Sequence, residues 1–453
     1  METMLPEPTI TFTIPSYRDA TVLSCRVYHP SSLSGGPTAR VWGRHAAVFA
    51  HPYAPLGGCA DDHVVDVVAG TMLRRGYLVG TFNFRGAGDS GGRTSWTAKA
   101  ERADYISVAA FMVYYVHYLD PFKGEHEGIP PPAQKEPPVF IMGGYSYGSM
   151  ITMQLPPLVE MLRPFVAPEL GTAAAEIRLR AEHLAEHQNA ILASVREAWG
   201  HGSRLRSPGL RVGGTESGEV RGSIEGRRSL ILEAEERIRK SFGDVVAKTK
   251  RARKSVDGAV RGKKVDGDEG VVVEEEEEGE QRRGHACLEE ATDLVMPRVA
   301  YVLVSPLQGV ISHLASMSIL PTHLPSLPKL RNPFVRKRED DKNPEPDNSK
   351  KLPHPDSDAN SSTPDSPADT DLAELKLVRN PTLAAFGDRD VFVAANKLRV
   401  WAKRLQEVPG SRFHAVEVSS AGHFWVEDRV LGKLAGLVDG FTGGLIEEGE
   451  RKR

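Results

Sequence analysis

Cysteine is scarce in this chain of 453 residues. Cys25, Cys59 and Cys287 are the only three, too few and too scattered for a disulfide framework or a CxxC zinc site, which fits a reducing compartment. An excess of either charge is also missing: 57 Lys and Arg face 60 Asp and Glu for a formal net charge of −3, and such balance argues against a dedicated nucleic-acid binder. Long apolar runs are absent too. The closest approaches are ISVAAFMVYYVHYL (106–119) and VAYVLVSPLQGVISHLASMSIL (299–320). The first is shorter than the roughly 20 apolar residues that a span requires and is bracketed by Asp104 and Asp120-Pro121; the second is broken by Pro306, Gln308 and His313. No transmembrane segment is expected, and both stretches read as elements buried against a sheet. The first residues, METMLPEPTI, lack a basic stretch followed by an apolar run, so no secretory signal is expected and the cytoplasm is the default location. Hydrophobic residues make up 40%, below the roughly 45–50% usual for a compact globule, so part of the chain lies outside any core.

What the chain does contain alternates. Ile10, Phe12 and Ile14 share one face of a strand, a turn follows at 16–20, and TVLSCRVY completes an edge hairpin. HAAVFA is a short buried strand ending at His51-Pro52, and HVVDVVAGTMLRRG (63–76) reads as a helix stopped by Gly76. YLVGTFNF is the next strand, DYISVAAFMVYYVHYLD a helix, and VFIMGGYSYGS a strand running into a turn. Continuous apolar strands alternating with helices imply an α/β fold with a mostly parallel sheet covered on both faces.

The pattern changes after residue 160. EIRLRAEHLAEHQNAILASVREAW (176–199) places Ile177, Leu184, Ile191 and Val195 near heptad spacing, which predicts an amphipathic helix. Beyond it come Gly, Arg and Ser, basic KTKRARK (248–254) and acidic EEEEE (274–278), a composition that cannot offset its own ordering entropy. Order returns at RVAYVLVSPL (298–307), a strand by its β-branched content. A second low-complexity stretch at 321–375, dense in Pro, Ser and Asp, reads as a disordered linker. Strand PTLAAFGD, helix VAANKLRVWAKRLQEV, strand FHAVEVSS and helix VLGKLAGLVDGF close the chain. The expected division is therefore core at 1–160, a helical then charged insertion at 161–296, core again at 297–320, the linker at 321–375, and core at 376–446.

The strongest chemical signal is Gly144-Tyr145-Ser146-Tyr147-Gly148, a G-x-S-x-G directly after a strand and before a helix. That setting forces the serine into a strained backbone conformation that lifts its hydroxyl above the sheet. A serine hydroxyl is a poor nucleophile near neutral pH, so it needs a base, and the base needs a carboxylate to hold its tautomer. His423, just past FHAVEVSS, and Asp390, just past PTLAA, both fall at carboxyl ends of strands, where open α/β sheets bind ligands. Serine, acid, histidine is the chain order expected for such a site. His183 and His187 stand four apart without the Glu of a zinc motif and read as a solvated helix face. KTKRARK reads as a solvated loop that offsets nearby acidic runs. No phosphate loop, dinucleotide fingerprint or metal cluster accompanies these residues, so neither cofactor nor metal is expected.

HPYAPLGG (51–58), FNFRGAGDSGG (82–92), GGYSYG (143–148), GDRDVFV (387–393) and AGHFW (421–425), in this order, resemble the motifs of the α/β-hydrolase superfamily of serine hydrolases. The resemblance implies Ser146 as nucleophile, Asp390 as the acid of a G-x-x-D pattern and His423 as base. An acyl-transfer site also needs two N–H donors for its oxyanion. Tyr147, next to the nucleophile, supplies one. The second is expected from the loop after HAAVFA, where many relatives carry His-Gly-Gly; Pro52 has no N–H, which leaves Tyr53. FRGAGDSGG is expected to shape the loop beside the site, with Arg85 and Asp89 in local pairs.

The function expected is a serine hydrolase cleaving an ester or thioester of a small or medium acyl substrate through an acyl-enzyme. An acyltransferase on the same residues is a second reading. A third is a non-catalytic scaffold of the same fold whose charged insertion binds a protein partner.

Overall fold

Runs of β-branched and apolar residues bounded by Gly, Pro or polar turns make the strands, and the amphipathic segments between them make the helices. The computed structural model describes residues 4–34, 42–95, 97–120, 137–204, 286–307 and 374–451. In chain order the elements are β1 (Ile10–Pro15), β2 (Val22–Tyr28), α1 (Ser31–Ser34), β3 (Ala46–Ala50), α2 (His63–Arg74), β4 (Leu78–Phe82) and α3 (Lys99–Tyr118). Then come β5 (Val139–Tyr145), α4 (Tyr147–Gln154), α5 (Leu158–Leu162), α6 (Ala173–Arg204), β6 (Arg298–Val304), β7 (Thr382–Arg389), α7 (Ala395–Gln406), β8 (Phe413–Gly422) and α8 (Val430–Arg451). Residues 205–285 of the insertion expected at 161–296 and 321–373 of the linker expected at 321–375 lie outside the described residues, as does 308–320.

The eight strands form one sheet in the order β1-β2-β4-β3-β5-β6-β7-β8. β2 is antiparallel to both of its neighbours, and every remaining pair is parallel. The hairpin β1–β2 lies at one edge, as its alternating pattern predicts. β3, β4 and β5 are buried at every position, which requires cover on both faces. One face packs under α3, α4, α6 and α7 through Phe111, Tyr115, Ile151, Ile177 and Trp401. The other packs under α2 and α8 through Val64, Val68, Leu434 and Val438. No helix of the described residues is long and apolar enough to cross a membrane.

Two sequence expectations change in detail. On α6, Ile177 and Leu184 are buried but Ile191 is 36% exposed; the inward face consists of Ile177, Ala181, Leu184, Ala185 and Leu192. These residues follow the 3.6-residue period of a straight helix, which drifts away from a heptad stripe. Alanines suffice because α6 packs closely against the rest of the core. Arg85 does not pair with Asp89, which is exposed. Its guanidinium instead donates to the buried carboxylate of Asp104 (2.9 and 2.6 Å) and to Asp19 (2.7 Å), tying the loop after β4 to α3 and to the β1–β2 turn. A buried carboxylate without such a partner would cost several kcal/mol.

Residues 286–289, within the insertion expected at 161–296, pair with the segment just ahead of α6 and with α6 itself. Glu169 and Cys287 form an antiparallel bridge, Leu170 N–H donates to Ala286 O and Leu288 N–H to Pro168 O, each at 2.9 Å. Arg178 of α6 donates to Glu289 O, also at 2.9 Å. The chain thus returns to the start of α6.

Candidate active site

At the carboxyl end of β5 the strand becomes a helix within one residue. Ser146 has φ 55 and ψ −110, a positive φ that a side chain adopts only under strain. Its N–H donates to Val304 O of β6 at 2.8 Å, and its carbonyl accepts the Met150 N–H at 3.0 Å to begin α4. With the backbone held on both sides, the hydroxyl projects above the sheet edge. The flanking glycines are steric requirements. A Cβ on Gly144 would lie 2.3 Å from the backbone of Gly148, and one on Gly148 would lie 2.5 Å from Ala50 O at the end of β3.

β7 and β8 carry the other two residues. Their register runs from Gly387↔Val418 to Arg389↔Gly422, so β8 bulges by two residues. Ser420, in that bulge, has φ 68, and its N–H donates to Asp388 Oδ1 at 2.8 Å. The bulge re-aims the end of β8 so that the residue after Gly422 faces the end of β7. Asp390 Oδ2 accepts from His423 Nδ1 at 2.7 Å, and His423 Nε2 meets Ser146 Oγ at 2.8 Å. Oδ1 of the same carboxylate accepts the N–H groups of Phe392 (2.8 Å) and Val393 (3.0 Å), which fixes its plane. Since the carboxylate accepts, the ring proton sits on Nδ1 and Nε2 is free to accept from the serine hydroxyl. Ser146 is 6% and His423 3% exposed, so these bonds form in a low local dielectric.

Sequence reasoning missed the residues that hold His423. The Tyr145 hydroxyl donates to His423 O at 2.8 Å, the Trp425 indole donates to Ser305 Oγ at 2.9 Å, and His63 of α2 donates to Phe424 O at 2.7 Å. Phe392 packs against the imidazole with ring centroids 4.4 Å apart and planes inclined by 60°. Only nearness in sequence marked Tyr145, next to Ser146, and Trp425, two residues after His423. Ser305 and His63 carried no local signal. Lys376 ties the chain entering β7 to the end of α4: its buried ammonium donates to Thr152 O at 2.8 Å and to Leu155 O, a favourable place for a cation at a helix C-terminus. Burial pulls its pKa down to about 7.

A single antiparallel strand inside a parallel sheet and a strained serine between the central strand and its helix together decide the architecture. The fold is that of the α/β-hydrolases. Among solved structures, the chain is similar to an α/β serine hydrolase without lid from Xanthomonas campestris, at 11% identity and TM-score 0.37, over 96% of this chain and 94% of that one. It is similar as well to an α/β serine hydrolase homologue from Coxiella burnetii, at 11% identity and TM-score 0.37, over 96% and 98%. A third is Est1E from Butyrivibrio proteoclasticus, at 9% identity and TM-score 0.37, over 96% and 99%. No family model matches the chain, and no curated protein is a significant sequence match.

Tyr147 and Tyr53, the two residues expected to supply oxyanion donors, meet through their side chains. Tyr147 is the first residue of α4, so its N–H has no acceptor within the helix. Tyr53 follows β3, and its ring lies 5.1 Å from that of Tyr147. The Tyr53 carbonyl accepts from Leu56 (3.1 Å) and Gly58 (3.2 Å), closing the loop into a tight turn. Beneath it, His51 is wholly buried. Its Nδ1 lies 2.6 Å from Pro52 O, and the Phe84 N–H donates to its Nε2 at 2.8 Å.

Burial lowers the His51 pKa to about 4 from 6.5. The unfolded chain therefore takes up this proton first as the pH falls. Stability that is complete above about pH 6.5 is lost between there and pH 4. Urea unfolding at pH 5 is expected to show on the order of 2 kcal/mol less stability than at pH 7 from this group alone. A midpoint unchanged between the two would contradict a buried, neutral His51.

Proposed function

We propose that the protein is a serine hydrolase of the α/β-hydrolase superfamily that cleaves a carboxylic ester or thioester of a small or medium acyl group. The observation that carries this reading is the continuous hydrogen-bonded path from Ser146 Oγ through His423 to Asp390, mounted on a strained turn at a sheet edge. In this mechanism His423 Nε2 takes the Ser146 proton while Oγ attacks the carbonyl carbon, and the carbonyl π electrons move onto oxygen. The resulting oxyanion accepts from the N–H groups of Tyr147 and Tyr53. Collapse breaks the bond to the alcohol or thiol, which leaves with the proton held on His423, and Ser146 remains acylated. A water then repeats the sequence, giving its proton to His423 and releasing the acid. Asp390, held against His423 Nδ1, orients the ring and stabilises the imidazolium.

The same reading makes residues 1–160, 297–320 and 376–446 one catalytic domain with inserts, α6 contributing to its core. The charged insertion is then a candidate surface for a protein partner.

A fluorophosphonate probe followed by mass spectrometry tests the assignment. A single adduct on Ser146 is expected, together with cleavage of simple esters without added metal or nucleotide. Labelling elsewhere, or none on folded protein, would return the chain to the scaffold reading, and activity abolished by a chelator would remove this mechanism. Release of product as an ester of added alcohol, with no free acid, would make it an acyltransferase on the same residues.

A further inference from the structure

We infer that His51 is a positioning residue that turns the Tyr53 N–H into the oxyanion site. The inference rests on the hydrolase reading above. One peptide unit carries both the Pro52 C=O and the Tyr53 N–H, and across a trans bond the two point in opposite directions; no described peptide bond is cis. The Pro52 ring fixes its own φ. The orientation of that peptide plane then depends on a single torsion, the ψ of Pro52. His51 holds this torsion by its ring contact to Pro52 O at 2.6 Å.

The direction of that contact follows from the other side of the ring. A backbone N–H only donates, so the Phe84 N–H at 2.8 Å makes Nε2 an acceptor. The one proton of the neutral imidazole is therefore on Nδ1, facing the Pro52 carbonyl. The ring also meets Phe84 edge to face, with centroids 5.0 Å apart. Its anchor is rigid, because β3 and β4 pair in parallel up to Ala50↔Phe82 and His51 and Phe84 lie just past those ends. The loop is set against the nucleophile's helix as well, since a Cβ on Gly148 would lie 2.7 Å from His51 O. Drawing the Pro52 carbonyl toward the buried imidazole leaves the Tyr53 N–H facing the opposite way, out of the core. Proline in place of glycine at position 52 removes one torsional freedom and makes one side-chain hydrogen bond sufficient.

Two substitutions separate positioning from packing. His51→Asn keeps a donor near the Nδ1 position and loses the acceptor for Phe84. His51→Gln reaches the Nε2 position and loses the donor to Pro52. Per titrated active site, His51→Gln is expected to lose roughly 10²-fold in kcat with KM changed less than about threefold, the signature of an interaction made only in the transition state. His51→Asn is expected to keep most of kcat, whatever its Tm. A purely structural His51 predicts the opposite: both variants lose folded protein, and kcat per active site stays equal. Equal kcat in the two variants, or Asn the worse, overturns the inference. A measurement on the wild type covers the case in which a variant fails to fold. With tyrosine amides labelled with ¹⁵N, phosphonylation of Ser146 should move the Tyr53 amide proton downfield together with that of Tyr147. A Tyr53 amide that does not move overturns the inference while leaving an active hydrolase. A wild type with neither turnover nor Ser146 labelling overturns this inference and the hydrolase reading together.

Discussion

Ser146→Ala leaves a folded protein whose ester turnover is slower by a factor on the order of 10⁶, the loss found when a triad serine is removed from a hydrolase. The fold survives because the substitution touches little else. Alanine occupies φ 55 at a cost similar to that of serine, and the N–H to Val304 O and the carbonyl to Met150 N–H are backbone bonds that do not depend on the hydroxyl. Thermal melting should therefore shift by no more than a few degrees. The remaining rate, roughly 10³ to 10⁴ above water, would come from the Tyr147 and Tyr53 donors and from substrate binding. Adding His423→Ala to this variant should cost little more, because the two side chains act as one unit. A Ser146→Ala protein with wild-type turnover would mean that another nucleophile does the chemistry.

Asp390→Asn should lose on the order of 10⁴ in kcat and keep nearly all its stability. An amide at this position can turn its NH₂ toward His423 Nδ1. That nitrogen then accepts, the ring proton moves to Nε2, and the imidazole can no longer receive the serine proton. The amide oxygen remains to hold the Phe392 and Val393 N–H groups, so the loop after β7 keeps its shape. Asp388→Asn separates the two acidic neighbours. Asp388 accepts only the Ser420 N–H among the bonds that shape the site, and an amide oxygen can do the same. Activity within a few-fold of wild type and a stability loss below about 1 kcal/mol are expected. If Asp388→Asn is the inactive variant, the acid is Asp388 and the hydrogen bond from His423 to Asp390 has another purpose. Steady-state kinetics and thermal melts of the two proteins decide it.

The alternation of apolar strands with helices was legible because each element records its own burial. β3, β4 and β5 read as continuous apolar runs since both of their faces are covered. Ser146, Asp390 and His423 stood out as candidates because each sits in a short motif at the end of a strand, and the fold brings the three within hydrogen-bond distance. Contacts between distant segments were not. Arg85 finds Asp104 on α3 and Asp19 in the β1–β2 turn, whereas the sequence suggested only pairs local to its own loop. The start of α3 at Lys99 was hidden, because its first turn is polar and its N-cap, Ala98, offers no side-chain oxygen to signal a boundary. His51 looked like part of a turn motif. Its role becomes readable only when the end of β4 places Phe84 beside it.

The bridge between Glu169 and Cys287 sets a lower limit on chain length rather than an upper one. α6 contains 32 residues, so Arg204 stands about 48 Å along its axis from the end at which Cys287 is paired. Crossing that distance takes roughly 14 fully extended residues. A direct splice from Arg204 to Ala286 would have to unwind the far turns of α6 or break the pairing with residues 168–170. Added length meets no such geometric requirement, since a longer connection can always span a fixed distance. This region can therefore gain sequence freely, and any shortened version has to retain a tether long enough to come home.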